Sequence, residues 1–276
     1  GRTHSLHYSQ VKDVEIVAVA DVNQEAANEL AHQYRIPHVY QDLEELLANP
    51  KVDAVSICTP DSMHLEPCLR AAATGKHMLL EKPIATTMED AQAILRAADK
   101  AGVTLLMGFV SRYLKTYATA HQNLEQGKLG EVLTVAAKRV NRSSVGSLYS
   151  KRGDNVIGFL GIHDIDLLRW FGGEVVSVYA EAGAFVFAEH GPESLDTAMV
   201  LLRFDSGAIG YVHSSWALPD SVPYRATSTF EVIGKKGTAL IDAFDQSLRI
   251  ASDSGYEIPT AWDISQAFRA QAPQSV

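Results

Sequence analysis

Two short segments of the chain bring together residue types that could move a proton and stabilise charge on oxygen. In LLEKPIA, Glu81 and Lys82 directly follow an apolar run, and Pro83 ends it. In GFLGIHDIDLLRW (158–170), His163 stands among acidic residues and leucines. Lysine stabilises negative charge on oxygen, and histidine exchanges a proton near neutral pH. These residue types suit chemistry at a hydroxyl or carbonyl group. The structural alternatives are a surface ion pair for Glu81 and Lys82 and a core histidine for His163.

The first part of the chain alternates short apolar runs with stretches of helical composition. The apolar runs are VEIVAVAD (14–21), VDAVSICTP (52–60), KHMLLEKP (76–83) and VTLLMGF (103–109). Such alternation predicts a parallel sheet covered by helices on both faces, an α/β arrangement. Ligands bind at the carboxyl ends of the strands in folds of this kind, and LLEKPIA lies at one of those ends.

After about residue 130 the sequence takes on the composition of antiparallel strands. The segments with this character are VLTVAAKRVN (132–141), VVSVYAEAGAFVF (175–187), DTAMVLLRFDSGAIGYVHSSWAL (196–218) and STFEVIGKKGTALIDA (228–243). Turn signals at 205–207 and 235–237 separate strands, and a helix over 159–171 should pack its leucines on the sheet. We therefore expect two domains, 1–112 and 113–276, the second an α+β domain built on an open antiparallel sheet.

Composition excludes several classes of protein. The chain has 276 residues and a formal net charge of −9, with Lys and Arg scattered along it, so a nucleic-acid surface is not expected. The sequence contains no apolar run near the roughly 20 residues that a membrane span needs. Cys58 and Cys68 lack metal-site spacing, which indicates free thiols and a cytoplasmic location. Asp164 would point about 100° away from His163 on a helix, so no metal site is expected there.

Asp21 ends the first apolar run twenty positions after Gly1. In a dinucleotide-binding fold, an acid about 20 residues beyond the glycine-rich turn accepts hydrogen bonds from the adenosine ribose. If Gly1 is the last glycine of that turn, the first strand and most of the turn lie upstream of this chain. The plain alternative is an ordinary strand-end aspartate. A carboxylate here favours NAD over NADP, because it would repel a 2′-phosphate.

Four segments together resemble the glucose-fructose oxidoreductase / inositol dehydrogenase / MocA family. In chain order they are ICTPDSMH (57–64), GKHMLLEKPIATTMEDA (75–91), GKLGEV (127–132) and GIHDIDLLRW (161–170). The resemblance runs from Gly1 to at least Asp242, and it implies a Rossmann domain followed by an open antiparallel sheet. It also implies hydride transfer between NAD and a sugar, a polyol such as inositol, or a related hydroxyl compound. Relatives usually continue into a further helix after a segment like AWDISQAFRAQ (261–271), so the chain is expected to be short at its carboxyl end.

The resemblance assigns roles by position. Lys82 matches the family's catalytic lysine, and His163 matches the histidine that takes the hydroxyl proton. The residues that match cofactor-side positions are Gly1, Asp21, Thr59, Pro60, His64, Glu81, Lys82 and Arg112. Five further residues border the expected substrate side without a ranking, namely Arg139, Asn141, Arg142, Tyr149 and Lys151. Trp170 and Trp216 are expected to be core aromatics.

One position departs from the family pattern. The family commonly has an aspartate four residues before the histidine, where this chain has Phe159. A phenyl ring cannot exchange a proton, so the usual Lys-Asp-His set is incomplete. Asp166 shares the helical face of His163 and is our candidate for a third catalytic residue that orients the imidazole, while Asp154 could reach the site from the preceding loop.

Two alternatives to a dehydrogenase stay open. An NAD-binding sensor without turnover is one, and Phe159 makes it more plausible. An enzyme of the same fold that uses NAD transiently to cleave glycosides is the other. For any of the three, the alternating apolar residues of AIGYVHSSWAL (208–218) suggest an interface, and we expect a homodimer or homotetramer.

We predict that the protein binds NAD more tightly than NADP. The carboxylate of Asp21 should accept hydrogen bonds from the ribose hydroxyls of NAD and repel the 2′-phosphate of NADP. Parallel titrations of the two nucleotides by calorimetry measure the difference. Tighter binding of NADP would contradict the role given to Asp21.

Overall fold

The computed structural model describes residues 1–151, 154–191, 194–222 and 224–242, together with the backbone of 247–252 and 255–257. The segment AWDISQAFRAQ (261–271) lies outside the described residues. The chain divides into two compact units, Gly1–Phe109 and Val110–Val276. The division falls after residue 109 rather than after residue 112, so Arg112 belongs to the second unit.

The first unit alternates strands with helices, as its sequence pattern predicts. Its strands are β1 (Ala18–Ala20), β2 (His38–Tyr40), β3 (Ala54–Ile57), β4 (His77–Leu80) and β5 (Leu105–Met107). Its helices are α1 (Arg2–Tyr8), α2 (Gln24–Tyr34), α3 (Leu43–Ala48), α4 (Leu65–Ala73) and α5 (Met88–Ala101). Local chemistry sets several helix ends: the Asn23 and Thr87 side chains cap α2 and α5, and α5 stops at Gly102 with a φ of 66°.

All strand pairs in the first unit are parallel, but they form two sheets rather than the single sheet that we expected. β1 pairs with β2, and β4 lies between β3 and β5. β1 and β3 share no ladder of hydrogen bonds, and such a ladder is what makes a sheet continuous. The sequence pattern missed β2, because a three-residue strand gives too little periodicity to read.

The second unit is built on one large sheet with helices packed against it. Its helices are α6 (Lys115–Glu125), α7 (Ser143–Ser150) and α8 (Ile162–Gly172), and a π-helical turn (Ile157–Gly161) leads into α8. Its strands are β6 (Val132–Arg142), β7 (Val175–Gly183), β8 (Thr197–Phe204), β9 (Ile209–Leu218), β10 (Ala226–Gly234), β11 (Gly237–Asp242), β12 (Ser247–Ser252) and β13 (Gly255–Glu257).

The eight strands lie in the order β13-β12-β11-β10-β6-β9-β8-β7. Every pair is antiparallel except β6 with β9, which is parallel. Both turns expected from the sequence are present: 205–207 joins β8 to β9, with Gly207 at a φ of 86°, and 235–236 joins β10 to β11. The sheet is therefore open and mostly antiparallel, which confirms the predicted fold class.

The core of the second unit lies between α8 and the sheet. Leu167 and Leu168 are fully buried in it, as the leucine spacing predicts, and they share a cluster with Phe204, Val212 and Phe230. Burial of each such side chain contributes about 1.5–3 kcal/mol relative to exposure. Trp216 is also fully buried, which confirms it as a core aromatic, in a second cluster with Phe187 and Leu160.

The expected interface segment AIGYVHSSWAL lies on β9, and only one of its two alternating sets of residues faces outward. Its large alternating residues Val212 and Trp216 are buried in the unit's own core. The outer face of the sheet instead exposes Tyr179, Leu201 and Met199 on β7 and β8. An apolar residue every second position predicts one buried face of a strand but not what covers it.

Candidate functional site

In the first unit, the residues singled out by sequence follow the carboxyl ends of parallel strands. Asp21 follows β1, Thr59 lies two residues after the end of β3, and Glu81 and Lys82 follow β4. Gly108 follows β5. Their common place at strand ends is where open α/β sheets hold ligands.

His64 joins two of these loops. Its side chain is fully buried, its Nδ1 lies 2.8 Å from the carbonyl oxygen of Pro83, and its Nε2 lies 3.1 Å from that of Thr59. The hydroxyl of Thr59 donates to the carbonyl of Met63 at 3.2 Å, and the Lys82–Pro83 peptide bond is cis. His64 therefore ties the loop after β3 to the turn that carries Lys82. Contact between His64 and a cofactor stays a prediction.

Glu81 is held on both sides of its carboxylate. Its Oε1 lies 2.7 Å from Nε2 of His4, and its Oε2 accepts from the backbone N–H of Lys82 at 3.2 Å. A Cβ at Gly108 would lie only 3.1 Å from Oε2 and 3.3 Å from the Glu81 Cα. The close approach of β5 thus favours glycine at 108. The sequence reading missed His4, since nothing local links it to a residue 77 positions away.

The first unit has residues of the types that bind a dinucleotide. Asp21 is exposed, and its Oδ1 accepts from the backbone of Asn23 at 2.8 Å, which leaves Oδ2 for ribose hydroxyls. Gly1 directly precedes α1, so its backbone lies at a helix N-terminus. A dinucleotide site uses an acid at a strand end for the ribose hydroxyls and the backbone at a helix N-terminus for the pyrophosphate.

In the second unit, His163 is half-buried on the first turn of α8, directly after the π-helical turn. Phe159 lies within that turn, and its ring is 3.7 Å from the ring of Tyr149 between centroids and 6.0 Å from that of Trp216. π-helical turns are frequent at functional sites. Phe159 thus presents an aromatic surface one turn before His163.

Two arginines bind the two aspartates that follow His163 on α8. Arg112 binds Asp166 in a bidentate pair, with Nε to Oδ2 at 2.8 Å and Nη2 to Oδ1 at 2.6 Å. Arg139 binds Asp164, with Nη2 to Oδ1 at 2.7 Å. Both aspartates are buried. The contacts that the structure shows for Asp166 are these bonds to Arg112, so its orienting and catalytic role toward His163 stays a prediction.

The charges of both pairs are mutually stabilised. The pKa of Arg112 is raised because its guanidinium donates to Asp166. Burial alone would lower the pKa of Arg139, but the Asp164 carboxylate outweighs that effect and raises it. Arg112 also lies 5.5 Å from the centre of the Trp170 ring, a distance that suits a cation–π contact. The contacts of Arg112 and Arg139 therefore hold α8 in place next to His163 in the chain.

The remaining sequence candidates have structural partners. Arg142 donates from Nε to the carbonyl of Tyr224 at 2.8 Å, and Trp170 stacks on His121 with centroids 3.9 Å apart. Asp154 donates through its backbone to Tyr149. Among the described residues, no group of three or more His, Cys, Asp or Glu is arranged to hold a metal ion. Within the same residues, no helix combines the length and apolar character that a membrane crossing requires.

Comparison with known families agrees with both units. Residues 1–109 match the model of an oxidoreductase family with an NAD-binding Rossmann fold. Residues 117–240 match the GFO/IDH/MocA C-terminal domain. The chain belongs to the GFO/IDH/MocA oxidoreductase family. It is accordingly an NAD-dependent oxidoreductase, as the sequence segments predicted.

Individual members of the GFO/IDH/MocA family match over most of the chain. Inositol 2-dehydrogenase of Rhizobium meliloti is 30% identical over 95% of this chain and 79% of its own length. Levoglucosan dehydrogenase of Pseudarthrobacter phenanthrenivorans is 26% identical over 88% of this chain and 70% of its own. The crystal structure of a putative myo-inositol dehydrogenase from Sinorhizobium meliloti superimposes with a TM-score of 0.79 at 29% identity, covering 95% and 79% of the two chains.

We predict that the pair Arg139–Asp164 is needed only as a pair. Arg139→Met leaves a buried, uncompensated carboxylate and should destabilise the second unit by about 3–5 kcal/mol. Arg139→Met combined with Asp164→Leu removes both charges and should recover most of that loss. Urea unfolding followed by fluorescence measures the difference. A double variant no more stable than Arg139→Met would contradict this explanation.

Proposed function

We propose that the protein is an NAD-dependent dehydrogenase that interconverts a secondary hydroxyl of a cyclic polyol or sugar with the corresponding ketone. The observation that carries the proposal is the placement of Lys82 at the strand end, on a turn held by His64. Membership of the family supports the reaction class. The inositol and levoglucosan dehydrogenases among its relatives support the substrate class.

Each proposed role follows from the chemistry of the side chain. The bound NAD supplies the acceptor for the hydride. Lys82 binds the reacting oxygen and stabilises the charge that develops on it. His163 takes the hydroxyl proton in oxidation and returns it in reduction. Because residue 159 is phenylalanine, no carboxylate at that position shares the proton with His163.

The cofactor would be held by the strand ends of the first unit. Asp21 would accept from the ribose hydroxyls, while the backbone at Gly1 would face the pyrophosphate. Thr59, Pro60 and Glu81 would line its course. Arg112 makes a bidentate bond to Asp166, and this bond supports a role in positioning α8. The cofactor-side role of Arg112 is the one expected from the sequence.

The aromatic surface of Phe159 and Tyr149 supports a ring-shaped substrate. A sugar or inositol ring has C–H groups on its faces, and these pack favourably on aromatic rings. Replacing a carboxylate with a phenyl ring one turn before His163 would make that part of the pocket apolar. We propose that the substrate presents a C–H face, not a hydroxyl, to Phe159.

We propose a homo-oligomer whose interface includes the outer face of the large sheet. Tyr179, Leu201 and Tyr211 lie side by side across β7, β8 and β9, and Met199 lies in the next row. Tyr179, Leu201 and Met199 are each about half exposed or more, at 62%, 49% and 48%. Exposed apolar surface of this kind suits contact with a second copy of the chain.

We also propose a cytoplasmic location. Cys58 and Cys68 are both free thiols, which suits a reducing compartment.

We predict that Lys82→Met lowers turnover by about 100-fold or more while NAD affinity changes little, because the charge on the reacting oxygen loses its partner. NADH formation with a panel of inositols and sugars measures turnover, and calorimetry measures affinity. Lys100→Met, an exposed change on α5, is the control. Unchanged turnover in Lys82→Met would overturn the assignment. Product without net NADH would indicate glycoside cleavage, and NAD binding with no activity on any compound would indicate a sensor.

We predict that Leu201→Lys lowers the oligomeric state by placing a charge in the centre of the apolar rows. Light scattering of the purified protein measures the mass in solution. The matched control is Leu95→Lys, which changes a similarly exposed leucine on α5 of the first unit, at 54%. A monomeric wild-type protein, or an oligomer that Leu201→Lys leaves intact, would contradict the proposed interface.

A further inference from the structure

Cys58, His4 and Glu81 form a connected group at the carboxyl end of β3. Nδ1 of His4 lies 3.6 Å from the Cys58 sulfur, and Nε2 lies 2.7 Å from Oε1 of Glu81. Ser56 contacts the same group, with its hydroxyl 2.5 Å from Nδ1 of His4 and 3.9 Å from the sulfur. A thiol beside a base that a third group orients is the arrangement of an activated nucleophile.

The charges of the group favour a thiolate and an imidazolium. The pKa of His4 is raised, chiefly by its hydrogen bond to Cys58, against the effect of burial, and Glu81 adds to the rise. Burial would raise the pKa of Cys58, but the hydrogen bond with His4 and the positive charge of that imidazole lower it. More of the thiol is therefore ionised at neutral pH than in a free cysteine.

The second cysteine provides a contrast within the same chain. Cys68 is fully buried on α4, and burial raises the pKa of its thiol to about 12. Cys58 is only half-buried, so reagents can reach it. Two cysteines ten residues apart thus differ in both ionisation and access.

We propose that Cys58 is a reversible modification site that forms a mixed disulfide with small disulfides and thereby closes the cofactor site. The Cys58 thiolate attacks one sulfur of the small disulfide, a new S–S bond forms, and the old S–S bond breaks with its electron pair on the leaving thiolate. The Cys58 sulfur is oxidised and the leaving sulfur is reduced. His4 can give its proton to the leaving thiolate. A thiol reductant reverses the exchange.

The effect on the cofactor rests on the proposed function. Cys58 directly precedes Thr59, and His4 binds the carboxylate of Glu81, so both neighbours of the thiol belong to the expected cofactor side. A bulky group on Cys58 would occupy that side and break the bond between His4 and the sulfur. NAD should in turn shield Cys58.

Site-resolved labelling of the native protein with iodoacetamide tests the reactivity. At pH 7, Cys58 should react about 100-fold faster than Cys68. As the pH is lowered, the rate at Cys58 should begin to fall only below about 8.5, the ordinary pKa of a cysteine thiol. His4→Phe should slow Cys58 by about tenfold. His7→Phe, an exposed change on the same helix, should leave the rate unchanged. Equal rates at the two cysteines, or an ordinary pH profile for Cys58, would overturn the proposal.

Treatment with glutathione disulfide tests the consequence. Intact mass should show one glutathione on Cys58, with NAD affinity lost and then restored by dithiothreitol. Cys58→Ser should keep its NAD affinity through the treatment. Full NAD affinity in the glutathionylated protein would overturn the closure of the cofactor site. Failure of the untreated protein to bind NAD would refute the proposed function instead, while the labelling rates would still decide the state of the thiol.

Discussion

The buried link from His64 to two backbone carbonyls is the constraint on which the first unit's site depends. One imidazole lies between the carbonyl of Thr59 and that of Pro83, within hydrogen-bond distance of both, so the loop after β3 and the turn after β4 keep a fixed spacing. Lys82 stands directly before that proline, and Glu81 before it is held by His4 and by the close approach of Gly108. A buried polar group is costly unless it is hydrogen-bonded, so loss of either carbonyl partner would loosen the turn.

In the second unit the corresponding constraint is a pair of arginine–aspartate bonds whose two carboxylates are buried. Asp164 and Asp166 follow His163 on α8, and each is bound by an arginine from another element. Such pairs add little net stability, but a buried aspartate left without its arginine is strongly unfavourable, so each bond restrains α8. The π-helical turn before α8 places Phe159 one turn ahead of His163. The helix that carries His163 is therefore held by its bonds to two arginines and by aromatic packing at its start.

Local patterns predicted the elements and strand ends but not the long-range partners. The apolar run before Glu81 and Lys82 was sufficient to place them after β4, and Leu167 and Leu168 were sufficient to orient α8. The bonds from His4 to Glu81 and from Arg139 to Asp164 join residues 77 and 25 positions apart. No periodicity encodes such partners, because they depend on how distant elements pack. The same limit applies at β9: alternation in AIGYVHSSWAL correctly indicates one buried face, but only the packing of α8 shows that this face is the unit's own core.

Direct passage of hydride between a substrate carbon and NAD can be tested with a polyol substrate deuterated at its carbinol carbon. The isotope content of the nicotinamide is measured by mass spectrometry after a single turnover. Direct transfer predicts that the reduced nicotinamide carries the substrate's deuterium and that none is lost to water. Deuterium released to solvent, or product formed while the nicotinamide stays oxidised and unlabelled, would contradict it.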